Sequence, residues 1–320
     1  WLLRMPLLMC GMVSICQAYC LGRRLSRNST VGLFTAFLMT ICEKHIFYST
    51  NARGYLVIMV LALLVVNCLL SRLEGHAFKT KNLSNKVSGG YAFLGWVGIW
   101  LVGTWTVPTF LFFEVSVAIF LVGLLLAGNR LQSFQRVYLI IPLASCVAGS
   151  IGFYLQYFVL IDSGMLTHAS LHAAKITWPL LFPEILAEWI KPFGLVSIIL
   201  FLFALMVLRK IFQQNQNWAF LLVCVWLGPI LVACIGYFLE KLPGLPHPRT
   251  FFYLQPFFII LGVMGAREAV IGLLIAVKRN YEFHEKSQLV IIGFFGGILL
   301  LVSGSNFFQN TYPERKTREP

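Results

Sequence analysis

Apolar residues in this chain fall in long runs separated by short polar stretches, and many runs reach sixteen residues or more. That length matches a helix crossing the hydrocarbon of a bilayer. Inside hydrocarbon the backbone must satisfy its own hydrogen bonds, which leaves helices as the reading for such runs. Ten spans are predicted, at about 5–21, 31–48, 55–71, 91–107, 109–128, 137–161, 193–208, 218–238, 251–266 and 289–305. The expected fold class is therefore all-α, a polytopic transmembrane helical bundle, with residues 1–320 as a single transmembrane domain.

The polar stretches orient the spans. Loops 22–30, 72–90, 129–136, 209–217 and 267–288 hold fifteen Lys and Arg residues. The alternating set 1–4, 49–54, 108, 162–192 and 239–250 holds six. Cytoplasmic loops collect basic residues, so the first set is expected inside and the second outside. Two outside segments are more than turns. Residues 162–192 mix Trp178, Trp189 and prolines with a few charges, the pattern of short helices lying in the headgroup layer. Residues 239–250 are Pro-rich and end at Arg249.

Composition agrees with this layout. Of the 320 residues 58% are hydrophobic and 12% charged, about half the charge of a soluble domain. The net charge of +13 suits short loops against an anionic leaflet and gives no footprint for nucleic acid, which is excluded as a partner. All eight cysteines lie in apolar runs without a C-x-x-C pair, and are expected to be small buried hydrophobes. Membrane lipids are the expected surroundings.

Chemistry is concentrated in few places. Tyr48-Ser-Thr-Asn-Ala-Arg53-Gly54-Tyr55 sets an arginine between two tyrosines at the join of two spans. A planar, permanently charged guanidinium suits a phosphate or carboxylate; the plain alternative is a snorkelling anchor. Gly54 is expected to ease the backbone turn. Arg249 opens the ninth span beside Tyr253, with Pro256 expected to loosen the helix, and can converge with Arg53 on one anionic head group. Glu43, Lys44 and Glu114 are ionisable groups inside spans, which are functional candidates by default; for Glu43 and Lys44 mutual neutralisation is the plain alternative. His168 and His172 share a helical spacing but lack a third ligand, so no metal site is expected. Asn28-Ser-Thr and Asn82-Leu-Ser match the glycosylation acceptor pattern in loops placed inside, and are taken as chance matches.

Leu3-Arg4-Met5-Pro6 opens a span that closes on Leu21-Gly22-Arg23-Arg24-Leu25, and Tyr48-Ser-Thr-Asn-Ala-Arg53-Gly54-Tyr55 follows the next one. This order resembles membrane glycosyltransferases of the dolichyl-phosphate-mannose-protein mannosyltransferase superfamily, in particular the bacterial family 39-like members. Those read R-L-P-S, then L-G-R-R-L, then Y-S-x-x-A-R-G-Y. The resemblance is strong over about residues 3–72 and mostly topological beyond, with Thr106-Val-Pro108-Thr and Arg249…Pro256 fitting loosely. Met5 and Leu7 depart from the pattern, as does Cys42-Glu43-Lys44-His45 where the family carries Ser-Pro.

The resemblance implies a GT-C fold in the bacterial cytoplasmic membrane with its active site facing outside. It implies transfer of a sugar from a polyprenyl-phosphate-linked donor to a protein, lipid or glycan acceptor. Donor-phosphate binding would fall to Arg53, Tyr48, Tyr55 and Arg249, with Glu43, Lys44 and Glu114 as further candidates. No cofactor is implied, and a divalent metal stays open. The family's catalytic acid precedes the R-L-P-S span and so would lie upstream of Trp1; the sequence is accordingly expected to be an N-terminally truncated fragment, inactive alone. Two other readings stand beside this one: a transporter or flippase of a lipid-linked saccharide, and a non-catalytic membrane subunit.

Overall fold

Wherever the structure describes one of the predicted apolar runs, the run is helical apart from short breaks at residues 42, 107, 109 and 227. The structure is a computed structural model, which describes residues 4–50, 54–74, 85–127, 133–162, 181, 183–185, 189, 195–239, 247–277 and 293. The helices are α1 (Met5–Ser26), α2 (Ser29–Ile41), α3 (Glu43–Thr50), α4 (Tyr55–Leu73), α5 (Asn85–Thr106) and α6 (Phe110–Leu126). There follow α7 (Ser133–Asp162), α8 (Leu195–Gln214), α9 (Gln216–Trp226), α10 (Gly228–Phe238), a 3-10 helix (Pro248–Leu254) and α11 (Gln255–Val277). No strand occurs among the described residues.

Among the described residues three helical stretches are long and apolar enough to cross a membrane: Met5–Ser26, Tyr55–Leu73 and Pro248–Gly272. Two further pairs, α2 with α3 and α9 with α10, qualify together, each pair bent at a short break by 62° and 53° respectively. The predicted spans 31–48 and 218–238 are thus not straight. Cys42 in extended backbone interrupts the first, and Gly228-Pro229 restarts the second. α6 has 17 residues, or about 26 Å at the rise of an α-helix, a little short of a typical hydrocarbon core. The ninth span runs past its predicted end, since α11 continues through Arg267, which pairs with Glu268 at 3.0 Å. Span 289–305, apart from Gly293, and most of 162–192 lie outside the described residues. Trp189 is fully buried and stacks on Phe258 at a centroid distance of 5.9 Å.

The helix surfaces carry many large apolar side chains, and a few polar groups are buried in an otherwise apolar interior. Leu126, Trp105, Leu94 and Leu155 are each more than 60% exposed, while Ser14, Thr35, His45, Glu114, Ser145 and Gln255 are buried.

The chain divides into two units. The first comprises residues 1–51, 187–209 and 256–320. In it α1 ends at Arg27, whose φ of 52° places a non-glycine residue in the left-handed region. Asn28 then starts α2, its side-chain oxygen accepting the Thr30 N–H at 2.8 Å. This explains the Asn28-Ser-Thr pattern as a helix cap. Asn28→Ala is expected to lower the stability of this unit by about 1 kcal/mol, read as a fall in thermal unfolding midpoint in detergent. α1 and α2 approach closely through small residues. A Cβ on Gly32 would stand 2.7 Å from the Tyr19 carbonyl oxygen, and one on Gly22 would stand 3.2 Å from Thr35 Oγ1. α3 is tied back to α1 by a 2.9 Å hydrogen bond between His45 Nε2 and Ser14 Oγ.

The second unit comprises residues 52–186 and 210–255. α6 is its central element, packed on α5, α7, α9 and α10. Phe110, Phe113, Val117, Phe120 and Leu121 fill its buried face, at the helical spacing of three and four.

Candidate functional site

Three segments far apart in sequence meet at one end of the second unit. Gly54, the N-cap of α4, lies directly against Thr106, the last residue of α5, so closely that an added Cβ would strike the threonine side chain. Its φ of −65° is ordinary; glycine is required here by the close approach and not by the turn. A tight turn follows, with the Phe110 N–H on the Val107 carbonyl at 2.9 Å, and α6 begins. Against its first turn lies the 3-10 helix, with the Tyr253 ring 6.0 Å from Phe110 and 5.9 Å from Phe113. Phe251 stacks on Phe112 at 6.3 Å. The same 3-10 helix packs on α4.

This helix presents Arg249. Its backbone N–H donates to His247 Nδ1 at 3.3 Å, and the Thr250 hydroxyl donates to the His247 carbonyl at 2.7 Å. The preceding imidazole therefore fixes the turn from which Arg249 departs. Arg249 is half-buried, and its Nε has no hydrogen-bond partner among the described residues. Tyr253 is fully buried and its hydroxyl is also unpartnered among them. Pro256 is the second residue of α11, where a missing N–H costs nothing, and it does not loosen the helix.

One turn farther into α6 stands Glu114, fully buried. Trp100 of α5 borders it, 6.0 Å from Phe110 and 6.4 Å from Phe113 by ring centroid, with its Nε1 donating to Ser145 Oγ of α7 at 3.0 Å. A Cβ on Gly149 would stand 2.6 Å from both Glu114 Oε1 and Trp100 Cβ, so α7 touches the carboxylate with bare backbone. Ser150 turns its hydroxyl and N–H toward Glu114, yet neither carboxylate oxygen meets strict hydrogen-bond geometry among the described residues. An unsatisfied buried polar group costs about 1–3 kcal/mol. Glu114→Gln, which keeps the volume and gains a donor, is expected to raise the thermal unfolding midpoint. A fall on substitution would show that the carboxylate itself holds the helices together.

The sequence-derived candidates divide between the units. Tyr55 and Arg249 sit on α4 and the 3-10 helix, which pack together in the second unit, and Glu114 belongs to the same unit. Tyr48, Glu43 and Lys44 belong to the first. Tyr48 is 3% exposed, its ring edge-on to Phe47 at 5.3 Å, and so is a packed side chain and not a surface ligand. Glu43 and Lys44 are half-buried at the start of α3, just after the bend. Arg53, His168 and His172 lie outside the described residues. The described residues contain no group of three or more His, Cys, Asp or Glu placed to hold a metal ion.

The opposite end of the second unit is basic. α4 closes on Arg72, whose guanidinium lies 5.3 Å over the Trp96 ring, and α9 starts from Asn215, which caps the Trp218 N–H at 3.2 Å shortly after Lys210. Phe220, 5.5 Å from Phe120, locates that start beside the C-terminal half of α6.

Sequence reasoning missed Tyr253 as a buried polar group, His247 as the fastener of the Arg249 turn, and the Trp100–Ser145 pair. His247-Pro-Arg-Thr carries a capping signal, an acceptor side chain before proline and two donors. The others depend on which helices become neighbours. Comparison with family models, with curated proteins and with solved structures gave no match to this chain.

Proposed function

We propose that the chain is a multi-pass membrane protein of about ten spans in the bacterial cytoplasmic membrane. On this reading it is a GT-C-type glycosyltransferase, taking a sugar from a polyprenyl-phosphate-linked donor to a glycan, lipid or protein acceptor. The observation that supports it best is the end of the second unit formed by Gly54, the 107–109 turn and the Pro248–Leu254 helix. These segments border the loops that the basic-residue bias puts outside, and they carry Arg249 and Tyr55. A phosphate leaving a sugar needs cations, and the half-buried guanidinium of Arg249, whose Nε has no partner among the described residues, is suited to supply one.

The bent pairs α2–α3 and α9–α10, one in each unit, favour a second reading as a transporter of a lipid-linked saccharide, since broken helices are common where transporters bind substrate. One experiment separates the two. Full-length protein is reconstituted in vesicles with a labelled polyprenyl-phosphate sugar and an acceptor mixture. Label appearing in acceptor supports the transferase. Label that only changes leaflet supports the transporter, and label that does neither removes both.

A further inference from the structure

The proposed function leaves a buried ionisable group unused. Glu114 lies in α6 with 0% of its surface exposed. Neither carboxylate oxygen has a hydrogen-bond partner among the described residues, and no ion pair reaches it there. Charges on the surrounding helices are remote. Arg136 and Asp162 of α7, and Lys86 of α5, lie about 18 Å or more along their helices from Ser150 and Trp100. α9 and α10 contain no charged residue, only the thiols of Cys224 and Cys234 and the phenol of Tyr237. The 3-10 helix brings Tyr253, and Arg249, which makes no ion pair with Glu114. α7 brings Cys146, within electrostatic reach of the carboxyl. Cys146 is one of the cysteines that are buried as expected; Cys16 and Cys20 are exposed, and there the expectation fails.

The surroundings of Glu114 leave little space. A Cβ on Gly149 would stand 2.6 Å from both Glu114 Oε1 and Trp100 Cβ. Trp100, Phe110 and Phe113 form a hydrocarbon wall, with ring centroids 5.3–6.4 Å apart. The nearby hydroxyl of Ser145 is already engaged, accepting from Trp100 Nε1 and donating to the Pro142 carbonyl at 2.6 Å. Ca2+ or Mg2+ takes about six or more oxygen ligands, and Glu114 has only Ser150 turned toward it. What fits is the smallest cation. An isolated carboxylate in an apolar interior is so poorly solvated that it takes up a proton in place of its charge. The resulting acid both donates and accepts, and the Ser150 hydroxyl can serve either role.

We propose that Glu114 is a proton-binding site inside the second unit, a carboxylic acid at neutral pH whose packing admits a proton and no larger cation, with Ser150 as its positioning hydroxyl. The proton comes from water. One O–H bond forms on the carboxylate, and no electron or other group moves. This inference is independent of the glycosyltransferase reading.

The test is the infrared spectrum of the full chain at neutral pH in an ester-free detergent. The wild-type chain is expected to show the carbonyl stretch of a protonated carboxyl group, moved to lower frequency in D2O as an ester band is not. Glu114→Gln is expected to lose this band with its helical circular dichroism intact. Glu43→Gln, which alters a half-buried acid, is expected to keep it. Ser150→Ala is expected to keep the band but move it to higher frequency, because a hydrogen bond to a carbonyl lowers its stretch. That shift tests the site without relying on the fold of Glu114→Gln. Added Na+, K+ or Ca2+ at fixed pH is expected to leave the band unchanged. Absence of the band in wild type, its survival in Glu114→Gln, an unmoved band in Ser150→Ala or its loss on adding any of these cations would overturn the proposal.

Discussion

Arg249→Ala in the full-length protein is expected to lower kcat/KM for a polyprenyl-phosphate sugar by about one to two decades, and Arg53→Ala by a similar factor. A charge-assisted hydrogen bond is worth roughly 1.5–3 kcal/mol, and each 1.36 kcal/mol is about a decade. Of the two arginines, Arg249 is the one whose surroundings are described. It is half-buried, unpartnered at Nε among the described residues, and launched from a turn that His247 and Thr250 hold in place. Arg53 adjoins Gly54, whose contact with Thr106 anchors the start of α4. Lysine at either position keeps the charge and loses the fork, so a smaller loss is expected. The measurement is initial transfer rate at matched expression, with the unfolding midpoint as a control. Parental rates in both alanine variants would reduce the two arginines to snorkelling anchors.

Gly265→Ala is expected to cost the first unit about 3 kcal/mol, at the upper end of what overpacking exacts. An added Cβ there would run into the backbone carbonyl of Phe203 on α8, and backbone cannot swing aside as a flexible side chain can. Gly262, one turn earlier, meets the Leu200 carbonyl oxygen at 3.1 Å, so the helices touch along two successive small positions. Gly272 on the same helix has nothing within 4 Å of its would-be Cβ. Gly272→Ala should therefore be neutral or stabilising by up to about 1 kcal/mol. Thermal unfolding of the two variants side by side reads the difference. Equal midpoints would mean that α8 and α11 do not cross at Gly265.

The helical character of the chain was legible because long apolar runs leave little choice of backbone structure, and the starts of α1, α4 and α6 fall within a residue or two of their predicted positions. The bends were not legible. Nothing local at Cys42 breaks a helix, and the run 31–48 reads as continuous until His45 finds Ser14 on α1. Arg249 was visible as a charge after prolines, while Glu114 was visible only as an ionisable residue at a costly depth. What surrounds Glu114 depends on α5 and α7 meeting at Gly149, a tertiary fact that no window of sequence contains. Tyr48 shows the reverse error. An aromatic beside a charged elbow reads as an exposed ligand, and the fold leaves this one only 3% exposed.

The break between α2 and α3 bears on how such a chain enters a membrane. A 62° bend ends one set of backbone hydrogen bonds and starts another within two residues, and each unpaired peptide group left in hydrocarbon costs several kcal/mol. A segment of that kind partitions poorly as a solitary insert leaving the translocon. α1 has no break, and through Ser14 and its glycine seam with α2 it supplies the surface against which the bend is tolerated. On the proposed membrane-spanning reading, the order of synthesis becomes part of the folding problem: α1, made first, is the partner that residues 29–50 find as they emerge.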